Sequence, residues 1–391
     1  MFWKKSNKEG PDKIALVLSG GGARAAYQVG VLKAVADLSP KEAPNPFPII
    51  CGTSAGAINA AALAIYSSQF REAIWRLIHV WGNFHMSQVF RSDFTGMSKS
   101  ALRWIASTAR GASQNRKAHG LLDRTPLHEL LAYYLPFENI QQSLEQNNLH
   151  ALCINASNYS TGNSVSFYQG HEGIEPWVRA NRIGIRANIH ISHLMASSAI
   201  PLLFAPVPLG DDYYGDGTMR QNAPTSPALH LGADKLFIIG VKHEDPYSAL
   251  QKRMVSPPSL GEIAGHVLDS IFLDNVSMDL ERLERINKTF SQIPNRHLPD
   301  DSVSMRQVEI LFISPSQDLS AMTKKHYELI PNTVKLFMRG VGASKEHGAN
   351  LISYLLFEKA FCRELISLGY SDTMERKQEV IDFMDINPSE Q

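Results

Sequence analysis

The sequence predicts an α/β protein, a three-layer α/β/α sandwich around a mainly parallel sheet, and three observations carry that expectation. Short apolar runs alternate with segments of helical period, the pattern of parallel strands joined by crossover helices. A strand, a glycine-containing turn and a helix follow one another twice, over 14–38 and again over 49–66. Further apolar runs of strand length recur later in the chain, so the expected sheet has about five or six strands.

In chain order, Ile14 to Ser19 reads as a buried strand, and Gly20, Gly21 and Gly22 break it. Tyr27, Val31, Val35 and Leu38 then recur about every four positions, which makes one core-facing helix stripe. Pro44 to Pro48 is a loop, Ile49 to Cys51 opens a second strand, and Ala55 to Tyr66 is an Ala-rich helix suited to close packing. Residues 70–136 are expected to be helical, the last helix starting at Thr125 as N-cap with Pro126 at the first helical position. Strands are expected at Leu149–Ala156, Val165–Tyr168, Lys235–Val241 and Val308–Ile313, with a helix-like run at His193–Ile200. Apolar residues from Ile263 to Phe290 mark one long helix or two, and helices dominate the C-terminal end.

Bulk properties exclude several classes. Lys plus Arg equals Asp plus Glu at 38 each, so no global field draws nucleic acid or an anionic membrane. Cys51, Cys153 and Cys362 are too scattered for a disulfide framework and form no CxxC pair, which fits a reducing compartment and gives no metal site. The first apolar run is too short for a signal peptide, and Ala55–Tyr66 is too short to cross a bilayer. A cytoplasmic protein is the expectation. The segment 86–124 is locally basic, with seven Lys or Arg against two Asp or Glu. Arg91, Lys99, Arg103, Arg110, Arg116 and Lys117, with Phe94 and Trp104, suit peripheral contact with anionic lipid. The irregular apolar stripe among them favours a solvated helical face instead.

Three motifs carry chemistry. Gly52-Thr53-Ser54-Ala55-Gly56 stands where a strand turns into a helix, the setting of a nucleophile elbow that exposes a serine above a sheet. By itself the pattern also fits a plain glycine-rich turn. Gly20-Gly21-Gly22-Ala23-Arg24 lies about thirty residues earlier, where consecutive glycines let amides converge on an oxyanion and Arg24 holds the loop or adds positive potential. Gly20, Gly22 and Ala25 also satisfy a dinucleotide-binding spacing, but that reading needs an acid at the end of the next strand, which ends in Cys51-Gly52-Thr53-Ser54. The third motif is Asp216-Gly217, after an apolar run and a hairpin; a carboxylate whose basicity is raised by burial can accept the proton of a serine.

Together, in this order and spacing, the three motifs resemble the patatin-like phospholipase family. Leu122–Leu127, Ala196–Pro201 and Arg220–Pro224 also resemble segments of its bacterial members. The resemblance implies a lipid acyl hydrolase that cleaves fatty-acyl esters through an acyl-enzyme, without metal or organic cofactor. It implies Ser54 as nucleophile and Asp216 as base, with no histidine. It implies Gly20, Gly21 and Gly22 as oxyanion donors supported by Arg24, and Gly52, Gly56 and Gly217 as motif support. The expected partner is a phospholipid or other acyl-ester lipid. Thr218 stands where many members have a second glycine, which puts the loop geometry in question but keeps the carboxylate. The expected organisation is a tail at 1–13, a catalytic domain at 14–245 with a helical insertion at about 70–148, and a mainly helical region at 246–391 with one strand near 307–314. Two alternatives remain: a Ser-His-Asp esterase using a late histidine such as His243, His326 or His347, and a non-catalytic lipid binder on the same fold.

Overall fold

The structure, a computed structural model, describes residues 12–91, 120–244, 274–292, 307–340 and 349–386, with four isolated positions between 263 and 270. Most of the basic segment, including Lys99, Arg103, Trp104, Arg110, Arg116 and Lys117, lies outside the described residues, as do Phe94 and His347.

Ten strands form one sheet among the described residues. They are β1 (Ile14–Leu18), β2 (Ile49–Thr53), β3 (Ala151–Asn158), β4 (Ser164–Gly170), β5 (Trp177–Arg179), β6 (Arg182–Arg186), β7 (Val207–Leu209), β8 (Asp212–Asp216), β9 (Lys235–Ile239) and β10 (Glu309–Ile313). Around them stand α1 (Ala26–Leu38), α2 (Ala55–Ile65), α3 (Phe70–Trp81), α4 (Thr125–Tyr134), α5 (Glu138–Glu145), α6 (Ile191–Ser197) and α7 (Ser226–His230). The later helices are α8 (Asp274–Gln292), α9 (Leu319–His326), α10 (Asn332–Gly340), α11 (Ala349–Leu355), α12 (Lys359–Glu375) and α13 (Lys377–Phe383).

The sheet runs β10-β9-β1-β2-β3-β4-β6-β5, and its first five strands are mutually parallel. Every residue of β1, β2 and β9 is buried, as befits strands covered on both faces. Alternation divides them between two cores. Leu16, Leu18, Ile50 and Ile154 face α1, α2 and the C-terminal helices, whereas Ala15, Val17, Ile49 and Cys153 face α7 and α8. This is the three-layer arrangement read from the sequence, but with more strands than the five or six expected. The extra strands include β5 and β6, which are short, arginine-rich and partly exposed, so they lack the apolar alternation that marks a strand. Their place comes from long-range packing, because Trp177 stacks on Tyr168 at 5.3 Å and on His230 at 4.8 Å.

The start of α4 also differs from expectation. Thr125 is its first helical residue, not its cap, and the Asp123 carboxylate accepts from the Thr125 N–H at 2.9 Å and its hydroxyl at 2.6 Å. An Asp two residues earlier thus does the capping that the Thr-Pro pair suggested.

One register detail places the site. Along β3, Asn155 pairs with Thr53 at the end of β2, and the next residue, Ala156, pairs with Asp216 at the end of β8. The chain that leaves the sheet at Ser54 is therefore replaced, one row further along β3, by the chain that brings in Asp216.

Candidate active site

Ser54 sits between β2 and α2 with φ 56° and ψ −127°, a left-handed conformation that only a tightly constrained turn imposes on a non-glycine residue. Strain of this kind costs about 1–3 kcal/mol and holds the side chain up from the sheet. Its neighbours permit the turn. A Cβ on Gly56 would stand 2.5 Å from the Ser19 carbonyl oxygen, so only glycine lets α2 approach β1 so closely. Gly52 and Gly217 are similarly crowded, by Ala57 and by Asn155.

The Ser54 hydroxyl donates to Asp216 Oδ2 at 2.7 Å. Asp216 is fully buried, and loss of hydration pushes its carboxyl up to about 6, against the opposing hydrogen bonds of Ser54 and Thr218 and the charge of Arg124. Its other oxygen accepts from the Thr218 N–H at 3.0 Å and the Thr218 hydroxyl at 2.7 Å. The residue that departs from a double glycine therefore adds a side-chain bond to the carboxylate. The Asp216 backbone is held too, its N–H donating to the Ala199 carbonyl at 2.9 Å and its carbonyl accepting from the Ser157 hydroxyl at 2.8 Å.

The glycine loop divides among three surroundings. Gly22 lines the same cavity as Ser54 and Ala55. Gly21 backs onto Val241, and Gly20 lines a separate small cavity of mixed character with Val17, Thr53, Asn155, Thr218 and Gln221. Gly22 has φ +56°, and a Cβ there would lie 2.1 Å from the Tyr354 carbonyl oxygen, so both conformation and space demand glycine. None of the three glycine amides donates to a backbone carbonyl among the described residues. Arg24, 3% exposed, turns its guanidinium to the C-terminal helices: Nε donates to the Ser353 hydroxyl at 2.8 Å, a terminal nitrogen to the Ser320 hydroxyl at 2.9 Å, and the plane lies 4.2 Å from the Tyr354 ring centroid. The loop is thereby fastened to residues 296 and 329 positions further along the chain. Replacing Arg24 by Met removes the charge-assisted bonds to Ser353 and Ser320, among others, while keeping much of the stem, with an expected loss of about 2–4 kcal/mol of stability. If the loop positions amides for the reaction, kcat should fall about tenfold with KM little changed, and equal kcat in native and variant protein would show that the clamp serves stability alone.

Several supporting side chains carry no separate sequence signal. Ser197, fully buried, accepts from the Ser54 N–H at 2.9 Å and donates to the Asn155 carbonyl at 2.6 Å. Asn59 on α2 donates to Gln28 at 2.9 Å and accepts from Trp81 at 2.8 Å, while Gln28 donates to the Ser19 carbonyl at 2.8 Å. This buried chain of amides links α2 to the glycine loop. Arg124 bonds to the Met195 and Ala205 carbonyls, and burial lowers its guanidinium to about 10 despite the nearby Asp216 charge. Ser197 and Arg124 lie in the Ala196–Pro201 and Leu122–Leu127 segments, which were the only pointers to them.

Histidine takes no part in these bonds. His243 bonds to the Pro315 carbonyl and His326 to Glu364, and neither Ser54 nor Asp216 is hydrogen-bonded to a histidine among the described residues. No described helix is long and apolar enough to cross a membrane.

Residues 16–229 match the sequence model of a family described as patatin-like phospholipase. Among solved structures, the chain is similar to VipD from Legionella pneumophila, at 12% identity and a TM-score of 0.32, over 96% of this chain and 67% of that one. It is also similar to human GIVD cytosolic phospholipase A2 in complex with methyl gamma-linolenyl fluorophosphonate, at 12% identity and a TM-score of 0.43, over 97% of this chain and 60% of that one. No curated protein matches the chain.

Proposed function

Since the chain belongs to the patatin-like phospholipase family, we propose that it hydrolyses fatty-acyl esters of lipids with Ser54 as nucleophile and Asp216 as its general base. The observation that carries this reading is the 2.7 Å hydrogen bond from the Ser54 hydroxyl to a fully buried carboxylate. A carboxylate of ordinary basicity is a weak acceptor for a serine proton; burial that lifts Asp216 to about 6 makes it a better one while leaving it ionised at pH 7.

In the proposed reaction Ser54 Oγ attacks the acyl carbonyl carbon as its proton passes to Asp216 Oδ2. The carbonyl oxygen, now negative, is received by the amides of Gly22 and Ala55, which border the same cavity, with the positive end of α2 behind them. Collapse breaks the ester bond, and the leaving alcohol takes the proton from Asp216. Water then attacks the acyl-enzyme, giving its proton to Asp216, and the fatty acid departs as Ser54 regains that proton. Arg124 and Thr218 steady the carboxylate throughout.

The test pairs two measurements on the intact chain. A fluorophosphonate probe is expected to label Ser54, and a panel of phospholipids and triglycerides is expected to release fatty acid. A protein that takes up no label and frees no acid from any member of the panel would not be a serine acyl hydrolase.

A further inference from the structure

The cavity that begins at Ser54 extends along one face of α2. Ala55, Ile58, Ala62 and Tyr66 line it at intervals of three and four residues, which places them in a row along the helix. Its opposite walls are apolar side chains of α3 and α4, among them Leu77, Val80, Leu127 and Leu131. At the nucleophile end the row is narrow in side chain, with Ala55, and the last residue of the row, Tyr66, is the bulkiest. There the chemistry changes. The Tyr66 hydroxyl donates to the Tyr134 carbonyl at 3.3 Å, and the Arg76 guanidinium lies 4.6 Å from the Tyr66 ring centroid while pairing with Glu72 at 2.8 Å.

From this geometry we infer that α2 is a ruler for the acyl chain, with Tyr66, backed by Arg76 and Tyr134, as its end stop. The inference rests on the reading of Ser54 as the acylated residue. Ala55 to Tyr66 spans about 16 Å at 1.5 Å per residue. An extended chain of carbon–carbon single bonds, each about 1.5 Å long and set in a zigzag, advances about 1.25 Å per bond. The distance therefore accommodates a linear acyl group of about a dozen carbons. A longer chain must drive its methyl end into a hydrogen-bonded tyrosine and an ion-paired arginine, and a shorter one leaves apolar wall uncovered.

The experiment is a chain-length series of p-nitrophenyl esters, C4 to C18, presented at fixed surface fraction in mixed micelles. For the native protein kcat/KM is expected to rise to about C12 and to fall at least about tenfold by C18. Ala62→Phe fills the row some 10 Å from Ala55 and is expected to move the maximum to about C8. Tyr66→Ala removes the stop and is expected to raise the C16 rate about tenfold relative to C12. The same series of free fatty acids titrated against Ser54→Ala should bind most tightly near C12, which measures the ruler without the reaction. A maximum that stays at one length in all three proteins, or binding that strengthens steadily to C18, overturns the ruler even if every ester is hydrolysed. A C12 binding maximum in a protein that hydrolyses none of the esters keeps the ruler and rejects the nucleophile instead. Should Ala62→Phe fail to fold, Tyr66→Ala and the binding series still decide.

Discussion

Replacing Asp216 by Asn is expected to lower kcat by about 10³-fold or more while making the folded protein more stable at pH 8. On the proposed mechanism the first effect follows from the loss of the carboxylate that accepts the Ser54 hydrogen bond. Asn is the same size, and its side-chain oxygen can still accept from the Thr218 N–H and hydroxyl, but it presents an NH₂ to Ser54 and cannot take a proton. The second effect follows from burial. The Asp216 carboxyl sits at about 6 in the folded chain, above its ordinary value of 3.8, so the folded state binds this proton more tightly than the unfolded state does. Its contribution to stability is fully present below about pH 4 and is lost as pH rises through about 6. At pH 8 the buried carboxylate then costs on the order of 3 kcal/mol relative to its protonated form. Asn removes that cost. The variant should therefore melt several degrees above the native protein at pH 8 and close to it at pH 4. Native kcat/KM should rise tenfold per pH unit below about 6 and level off above it, because the base must be ionised. An Asn variant that keeps its turnover, or a native profile flat from pH 4.5 to 7, would remove Asp216 as the base.

Ser54→Ala should be the more damaging change to turnover, a loss of about 10⁵-fold or more, with fluorophosphonate labelling abolished. Its effect on stability should depend on pH in the opposite sense. Without the Ser54 hydroxyl, Asp216 Oδ2 loses a donor that lowers its pKa, so the alanine variant should weaken relative to native protein at pH 8 and match it at pH 4. Ser54→Gly separates this from backbone strain, since glycine adopts φ 56° freely and should recover about 1 kcal/mol while staying inactive. Residual labelling of the alanine variant at the native rate would place the nucleophile elsewhere.

Much of this was legible in particular residues. The two strand–turn–helix units, 14–38 and 49–66, could be read because β1 and the start of β2, Ile49–Cys51, are apolar and a glycine follows each run. Ala55–Ile65 was readable as a close-packed helix from its alanines alone. What escaped the reading was set by partners far along the chain. β5 and β6 carry Arg179, Arg182 and Arg186 and exist as strands because Trp177 finds Tyr168 and His230. Ser197 is an ordinary residue of a short helix until the fold sets its hydroxyl between the Ser54 N–H and the Asn155 carbonyl.

By itself the sequence determined the local shapes: which runs are buried on both faces, where the backbone must turn too sharply for a side chain, and which hydroxyl and carboxylate are poised on such turns. Those are properties of near neighbours, governed by sterics and by the period of apolar residues. The meeting of Ser54 with Asp216, 162 residues apart, was decided only in three dimensions, by β3 pairing first with β2 and then, one row on, with β8. The basicity of that carboxylate was decided there as well, because it depends on how much water the surrounding chain excludes, and no residue carries its own dielectric.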